Sequence, residues 1–358
     1  MNSPFDSVTF DHGPSTKNRF MLAPLTNLQS HVDGILSEDE ERWLTMRAAG
    51  GFGITMTCAS HVDPRGQGFP GQLGCFSDDH LPGLTRLAAG IRAHGSLAFV
   101  QLHHAGRRSP VDLIGEAPVA PGSDADTGAR QMSTEEVEAS ITSFITAAVR
   151  CQRAGFDGVE IHGAHDYLLC EFINAELNNR TDAYGGSREA RFRIFDEIIT
   201  GIREACGPDF HLAVRLSPER FGLATADVLD AYERIIATGK VDLVDLSLWD
   251  TFKEAADEEF EGRRLLELFT EVDRGSVRLA VAGHLYTGDD VQRALDLGAD
   301  VVVIGRAAIT NHDFPRLIEQ DPTATMRELP VPRDVLVAEG LGPAFLEYMS
   351  TWHGFVGD

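Results

Sequence analysis

The stretch Glu160-Ile161-His162-Gly163-Ala164-His165-Asp166-Tyr167 decides how the rest of the chain is read. Val159–Ile161 is an apolar strand that runs directly into two histidines spaced three apart and a tyrosine two residues further on. Three groups that can hydrogen-bond a substrate oxygen therefore leave one strand end together. That pattern suits a reaction in which a carbonyl is polarised and a proton delivered.

Working outward, the strand is flanked by helical patterns on both sides. Ser133 and Glu136 form a capping-box signature, and Val137, Ile141, Phe144, Ile145 and Ala148 then recur on one helical face. The same alternation runs through the chain. Strands are predicted at Arg19–Ala23, Gly53–Thr57, Leu97–Leu102, Gly158–His162, His211–Leu216, Leu243–Leu246, Arg278–Ala282 and Val301–Ile304. Helices are predicted at Glu38–Gly50, Leu81–His94, Thr134–Ala154, Arg188–Ala205, Thr225–Thr238, Gly262–Asp273 and Thr287–Leu297. Eight strands alternating with helices read as a single-domain (β/α)8 TIM barrel over residues 1–358, with an open doubly wound sheet as the runner-up. The barrel occupies about 19–319 and a C-terminal helical extension about 320–358. Within that extension Phe345, Met349 and Trp352 share a helical face. They either pack on their own barrel or form a contact in a homo-oligomer. Asp63 to Leu81 reads as a long loop.

Composition narrows the partners. The 358 residues are 43% hydrophobic and 24% charged, the balance of a soluble globular protein. A net charge of −24 argues against nucleic acid and anionic membranes. The cysteines Cys58, Cys75, Cys151, Cys170 and Cys206 form no Cys-x-x-Cys pair, so free thiols in a reducing cytoplasm are expected. Neither a signal peptide nor an apolar stretch of membrane-spanning length is evident. A small-molecule substrate remains.

In a TIM barrel the chemistry lies at the C-terminal strand ends. Those ends carry Pro24, Leu25 and Thr26, then Ala59 and Ser60, then Gln101-Leu102-His103-His104, then the His162–Tyr167 cluster and Arg215. Gly283 and Gly305, after strands seven and eight, are placed for phosphate, and Arg306 adds a charge-assisted contact. The inward Arg215 needs an acceptor, which a heteroaromatic ligand or a buried carboxylate, Asp245 or Glu160, supplies. His103 and His104 are expected as a satisfied pair lining the pocket. Gly66-Gln67-Gly68-Phe69-Pro70-Gly71 matches a dinucleotide fingerprint but lacks the strand before it and the helix after it, so it reads as a loop. Barrel metallohydrolases usually open with a His-x-His pair on strand one; none is present, and no metal is expected.

Together these positions resemble the old yellow enzyme family of FMN-dependent ene reductases. The resemblance rests on Ala23-Pro24-Leu25-Thr26, on Gln101-Leu102-His103-His104-Ala105-Gly106-Arg107, on Glu160–His165, and on Asn179-Arg180-Thr181-Asp182-Ala183-Tyr184-Gly185-Gly186-Ser187. It implies that Ala23, Pro24, Leu25 and Thr26 line the flavin, with Ala59 meeting the ring through its backbone. It also implies that Gln101 bonds the pyrimidine edge, that Arg215 sits by N1 and the C2 carbonyl, and that Gly283, Gly305 and Arg306 hold the phosphate. His162 and His165 would grip the substrate oxygen, and Tyr167 would donate the proton. NAD(P)H would be the reductant and activated C=C bonds the acceptors: enones, enals, maleimides and nitro compounds. Where the family usually has glycine this chain has Asp166, and His284 replaces a second glycine after strand seven; Cys170 replaces a frequent histidine. Two other readings compete: a non-redox barrel lyase or isomerase acting on a phosphorylated substrate, and a flavin-binding module without turnover.

Overall fold

The computed structural model describes residues 2–357; Met1 and Asp358, the ends of the expected 1–358 domain, lie outside the described residues. Eight parallel strands close into a barrel: β1 Phe20–Leu22, β2 Ile54–His61, β3 Leu97–His103, β4 Gly158–Gly163, β5 His211–Leu216, β6 Leu243–Ser247, β7 Arg278–Ala282 and β8 Val301–Ile304. Each strand pairs with its sequence neighbours, and β1 pairs with β8 to complete the ring. The helices α1 Glu38–Ala49, α2 Leu81–Arg92, α3 Thr134–Arg153, α4 Arg188–Cys206, α5 Thr225–Ala237, α6 Leu265–Thr270, α7 Gly288–Asp296 and α8 Arg306–Thr310 lie between or after the strands. This is the expected (β/α)8 architecture.

Local chemistry fixes these elements. At α3 the Ser133 hydroxyl accepts from the Glu136 N–H (3.2 Å), and the Glu136 carboxylate accepts from the Ser133 N–H (2.9 Å). Val137, Phe144 and Ala148 then face the barrel and are fully buried. Thr287 and Asp290 cap α7 in the same way. Inside the barrel, Met21, Ile54, Met56, Phe99, Ala213, Leu243, Ala280, Val301 and Val303 form the apolar filling. The N-terminal segment closes the bottom, with Val8 in that cluster and Phe10 edge-on to His211 at 4.8 Å.

Several boundaries differ from expectation. β2 runs on to His61 because a bulge between Met56 and Ala59 restores its pairing, setting His61 opposite His103. α6 is shorter than the predicted Gly262–Asp273, since Gly262 is left-handed (φ 78°) and cannot start a helix. A short helix, Leu168–Ile173, follows Tyr167 directly. In the C-terminal extension, Phe345 and Met349 of the helix Pro343–Ser350 are fully buried against the barrel, Phe345 edge-on to Trp43 of α1 at 4.9 Å. Trp352 lies past the end of that helix, at the barrel mouth.

Candidate active site

The chain leaves β4 through two consecutive left-handed residues, His165 (φ 63°) and Asp166 (φ 61°). Such a backbone favours glycine, and aspartate is among the side chains that tolerate it. Three contacts offset the strain. The His165 N–H donates to the Ser217 hydroxyl (3.0 Å), and Arg108 Nη1 donates to the His165 carbonyl (2.9 Å). Arg107 Nη2 meets both Asp166 oxygens at 2.8 Å. Arg107 also pairs with Asp124 at 2.8 Å. The Asp166 charge is thus taken up by an arginine on the β3 side of the mouth.

The hydrogen bonds fix the tautomers of the histidine pair. The Ala164 N–H donates to His162 Nδ1 (3.3 Å), so a neutral His162 carries its proton on Nε2. That nitrogen faces His165 Nδ1 at 3.3 Å, and His165 Nε2 lies 2.7 Å from the Ser247 hydroxyl. Both rings are neutral: burial, then neighbouring positive groups, depresses each well below the usual imidazole range. Ala164, His162, His165 and Ser247 thereby form one directed chain of hydrogen bonds.

Tyr167 stands edge-on to His103 (4.4 Å) and His162 (5.2 Å). Burial raises its phenol above the ordinary range. His103 and His104 are not the satisfied pair expected from sequence. Neither ring nitrogen of buried His103 has a partner among the described residues, and His104 bonds only through Nδ1, which accepts from the Gly106 N–H at 3.1 Å. Their rings lie instead against the loop of Gly66 and Gly68, too close for a side chain at Gly66 to fit.

Below this cluster is a buried polar layer in strand register. Gln101 of β3 is opposite Glu160 of β4, and Arg215 of β5 is opposite Asp245 of β6. Gln101 Nε2 donates to Glu160 Oε1 at 2.7 Å. Arg215 Nε approaches Asp245 Oδ2 to 3.0 Å without the alignment of a hydrogen bond, so the pair is a charge contact that leaves polar atoms of both groups unsatisfied. Burial, reinforced by Asp245, pushes Glu160 up to about 8, and burial also raises Asp245.

Above the layer, a cavity of about 290 Å³ opens at the mouth. Of the residues singled out from sequence, Ala23, Pro24, Leu25, His165, Arg215, Gly283, Gly305 and Arg306 line it. Thr26, Ala59, Gln101, His162 and Tyr167 do not; His162 and Gln101 are buried behind that wall, and the Ala59 carbonyl is bonded by Gln72 Nε2 at 2.7 Å. Gly283 has φ 152°, and a Cβ there would lie 2.7 Å from the Trp249 carbonyl carbon, so only glycine fits. Arg306 donates to the Tyr286 hydroxyl (3.0 Å) and lies 5.5 Å from the Trp352 ring. Sequence reasoning does not single out Ser247, Trp249, Tyr286 or the cavity position of Trp352. Ser247 ends β6 and was open to the same strand-end logic; Trp249 and Tyr286 lie in the loops just beyond. His284, also in the cavity wall, has φ 50°, a left-handed backbone that suits glycine better than histidine. A larger hollow of about 470 Å³ on α4 and α5 is lined by Glu189, Arg193, Asp196, Glu197 and Arg234, and includes none of the histidines or Tyr167.

Residues 5–324 match the sequence profile of the NADH:flavin oxidoreductase / NADH oxidase family. The chain belongs to this family. It is 34% identical over 320 residues to a probable NADH-dependent flavin oxidoreductase of Bacillus subtilis, covering 87% of this chain and 86% of that one. It is 32% identical over 315 residues to an NADPH dehydrogenase of Bacillus pumilus, covering 86% and 92%. Among solved structures, the old yellow enzyme homologue from Zymomonas mobilis superposes with a TM-score of 0.81 at 27% identity, covering 97% of this chain and 99% of that one. This NADH:flavin oxidoreductase family member is therefore an FMN enzyme that takes its electrons from NAD(P)H. Its cavity fits that cofactor. Arg215 has a buried donor with no aligned acceptor, Gly283 admits no side chain, and Arg306 has no carboxylate partner among the described residues. Among the same residues, no helix is long and apolar enough to cross a membrane.

Proposed function

We propose that the enzyme reduces activated C=C bonds: enones, enals, maleimides and nitroalkenes. Ala23, Pro24, Leu25, Arg215, Gly283, Gly305 and Arg306 would hold FMN, together with Thr26, Ala59 and Gln101. When bound, FMN supplies the hydride exchange between NAD(P)H and substrate. Arg215 brings positive charge to the cavity floor, where it favours an electron-rich ring.

The observation that carries the proposal is the closely spaced imidazole pair at the end of β4. His162 Nε2 and His165 Nδ1 lie 3.3 Å apart beside Tyr167. A substrate oxygen at the apex above them would accept from both nitrogens once His165 carries its proton on Nδ1. Two neutral donors aimed at an oxygen gaining charge act as an oxyanion hole, where one lost donor costs about 2.7–4 kcal/mol. Tyr167, kept protonated by burial, is then the acid that delivers a proton to the substrate α-carbon. The buried free thiols accord with the cytoplasm.

Family membership sets aside the non-redox lyase or isomerase and the flavin-binding module without turnover. The test is steady-state reduction of cyclohexenone with NADH and NADPH. Product formation with parallel initial-rate lines, as expected when both substrates use one site in turn, supports the proposal. NAD(P)H oxidation that never consumes an alkene would overturn it.

A further inference from the structure

Arg108 stands at the barrel mouth, where its bond to the His165 carbonyl occupies only part of its guanidinium. It is exposed, its guanidinium carbon lies 5.1 Å from the centre of the Tyr167 ring, and Nη1 donates to the His165 carbonyl. Among the described residues that carbonyl is its one acceptor, and no carboxylate pairs with it. The contrast with its neighbours is sharp: Arg107 is clamped by Asp124 and Asp166, and Arg215 lies against Asp245. Other arginines, Arg306 among them, also lack a carboxylate partner among the described residues; Arg108 is set apart by standing beside Tyr167.

The turn that carries it is closely packed. Gly106–Arg108 form a single helical turn, with Gly106 left-handed (φ 62°) and packed so closely on the Glu171 carboxyl that no side chain fits. Glu171 Oε1 accepts from the Arg107 N–H at 2.9 Å. Burial raises the Glu171 carboxyl above the usual carboxylate range, and no ion pair among the described residues joins it to Arg108. The cation is thus held in place and left uncompensated, the arrangement of an anion-recognition group.

We propose that Arg108 binds an anionic substituent of the substrate, so that the enzyme prefers electron-poor alkenes bearing a carboxylate over their neutral counterparts. This rests on the alkene-reductase reading above. The substrate is favoured over the dinucleotide phosphates as the source of the anion because Arg108 is tied to His165 and Tyr167. It does not line the cavity of Gly283, Gly305 and Arg306.

The test compares trans-3-benzoylacrylate with its methyl ester on the FMN-loaded enzyme. The parent should favour the acid. Arg108→Gln should lower kcat/KM for the acid at least about tenfold more than for the ester, whose smaller loss reads the contact with the His165 carbonyl, while Arg108→Lys keeps most of the preference. Calorimetric binding of the saturated analogue 3-benzoylpropionate should weaken in parallel, without turnover. An unchanged acid rate, or equal losses for acid and ester, would overturn the inference. So would a loss confined to the NAD(P)H half-reaction, which assigns the anion to the dinucleotide. If the parent reduces neither compound yet oxidises NAD(P)H, the alkene-reductase reading fails, and the calorimetric arm still decides Arg108.

Discussion

His165 Nε2 lies 2.7 Å from the Ser247 hydroxyl, while its Nδ1 faces His162 Nε2 at 3.3 Å. With one proton on the ring, His165 donates to Ser247 when the site is empty of substrate. Gripping a substrate oxygen requires the other tautomer. A hydroxyl serves both states, because it can accept from Nε2–H or donate to bare Nε2. On the proposed reading, Ser247 is a positioning residue for His165. Ser247→Ala should raise KM for enones several-fold, the scale of about 1 kcal/mol for one hydrogen bond, with little change in reduction by NAD(P)H. Ser247→Thr should restore it. Stopped-flow measurement of the two half-reactions separates these effects; equal loss in both would contradict the role.

Tyr167→Phe tests the proton donor. The ring packing against His103 and His162 survives the change, since only the hydroxyl is lost. Oxidation of the reduced enzyme by cyclohexenone should slow on the order of 10²-fold or more, the usual worth of a general acid, while the NAD(P)H half-reaction stays near the parent rate. An unchanged enone rate would name another group as the acid.

The pH profile of the enone half-reaction tests the neutral pair. A free imidazole titrates near 6.5, whereas burial holds His162 and His165 well below that. The folded rings stay unprotonated as pH falls through the ordinary range, so the rate should show no inflection between about pH 5.5 and 7.5. An inflection near 6.5 that disappears in His165→Asn would show that an imidazolium is involved.

Glu160 gives a stability signature. Its carboxyl is raised to about 8, chiefly by burial and next by Asp245. In the unfolded chain it ionises near 4.5, so between those values the folded state holds a proton that the unfolded state has lost. Its contribution to stability is complete below about pH 4.5 and declines as pH rises toward 8. Glu160→Gln keeps an acceptor for Gln101 Nε2 and cannot ionise. Its Tm should fall less than the parent's between about pH 6 and 8.5. Parallel Tm curves would mean that Glu160 is already ionised in the fold.

The barrel was legible because strand and helix periods differ and the capping residues Ser133, Glu136, Thr287 and Asp290 mark helix starts. The His162–Tyr167 cluster was legible because it sits at one strand end. What escaped has physical causes. The β2 bulge depends on pairing with β3, which a single strand does not encode. His103 and His104 look alike in sequence to any buried pair; their unsatisfied nitrogens arise from packing on the Gly66–Gly68 loop. Asp166 was visible as a departure, but its partner Arg107 lies far away in sequence and meets it only at the barrel mouth. Trp352 reaches the cavity because the C-terminal helix ends before it, a boundary that the apolar spacing of Phe345, Met349 and Trp352 does not reveal.

The most direct measurement is the visible spectrum of the purified protein during anaerobic addition of NADH or NADPH, followed by cyclohexenone. The expected result is a flavin spectrum that bleaches with nicotinamide and returns with the enone. Flavin bands that bleach but do not return with any activated alkene would contradict the proposed reaction, and a protein that takes up no FMN would contradict the site itself.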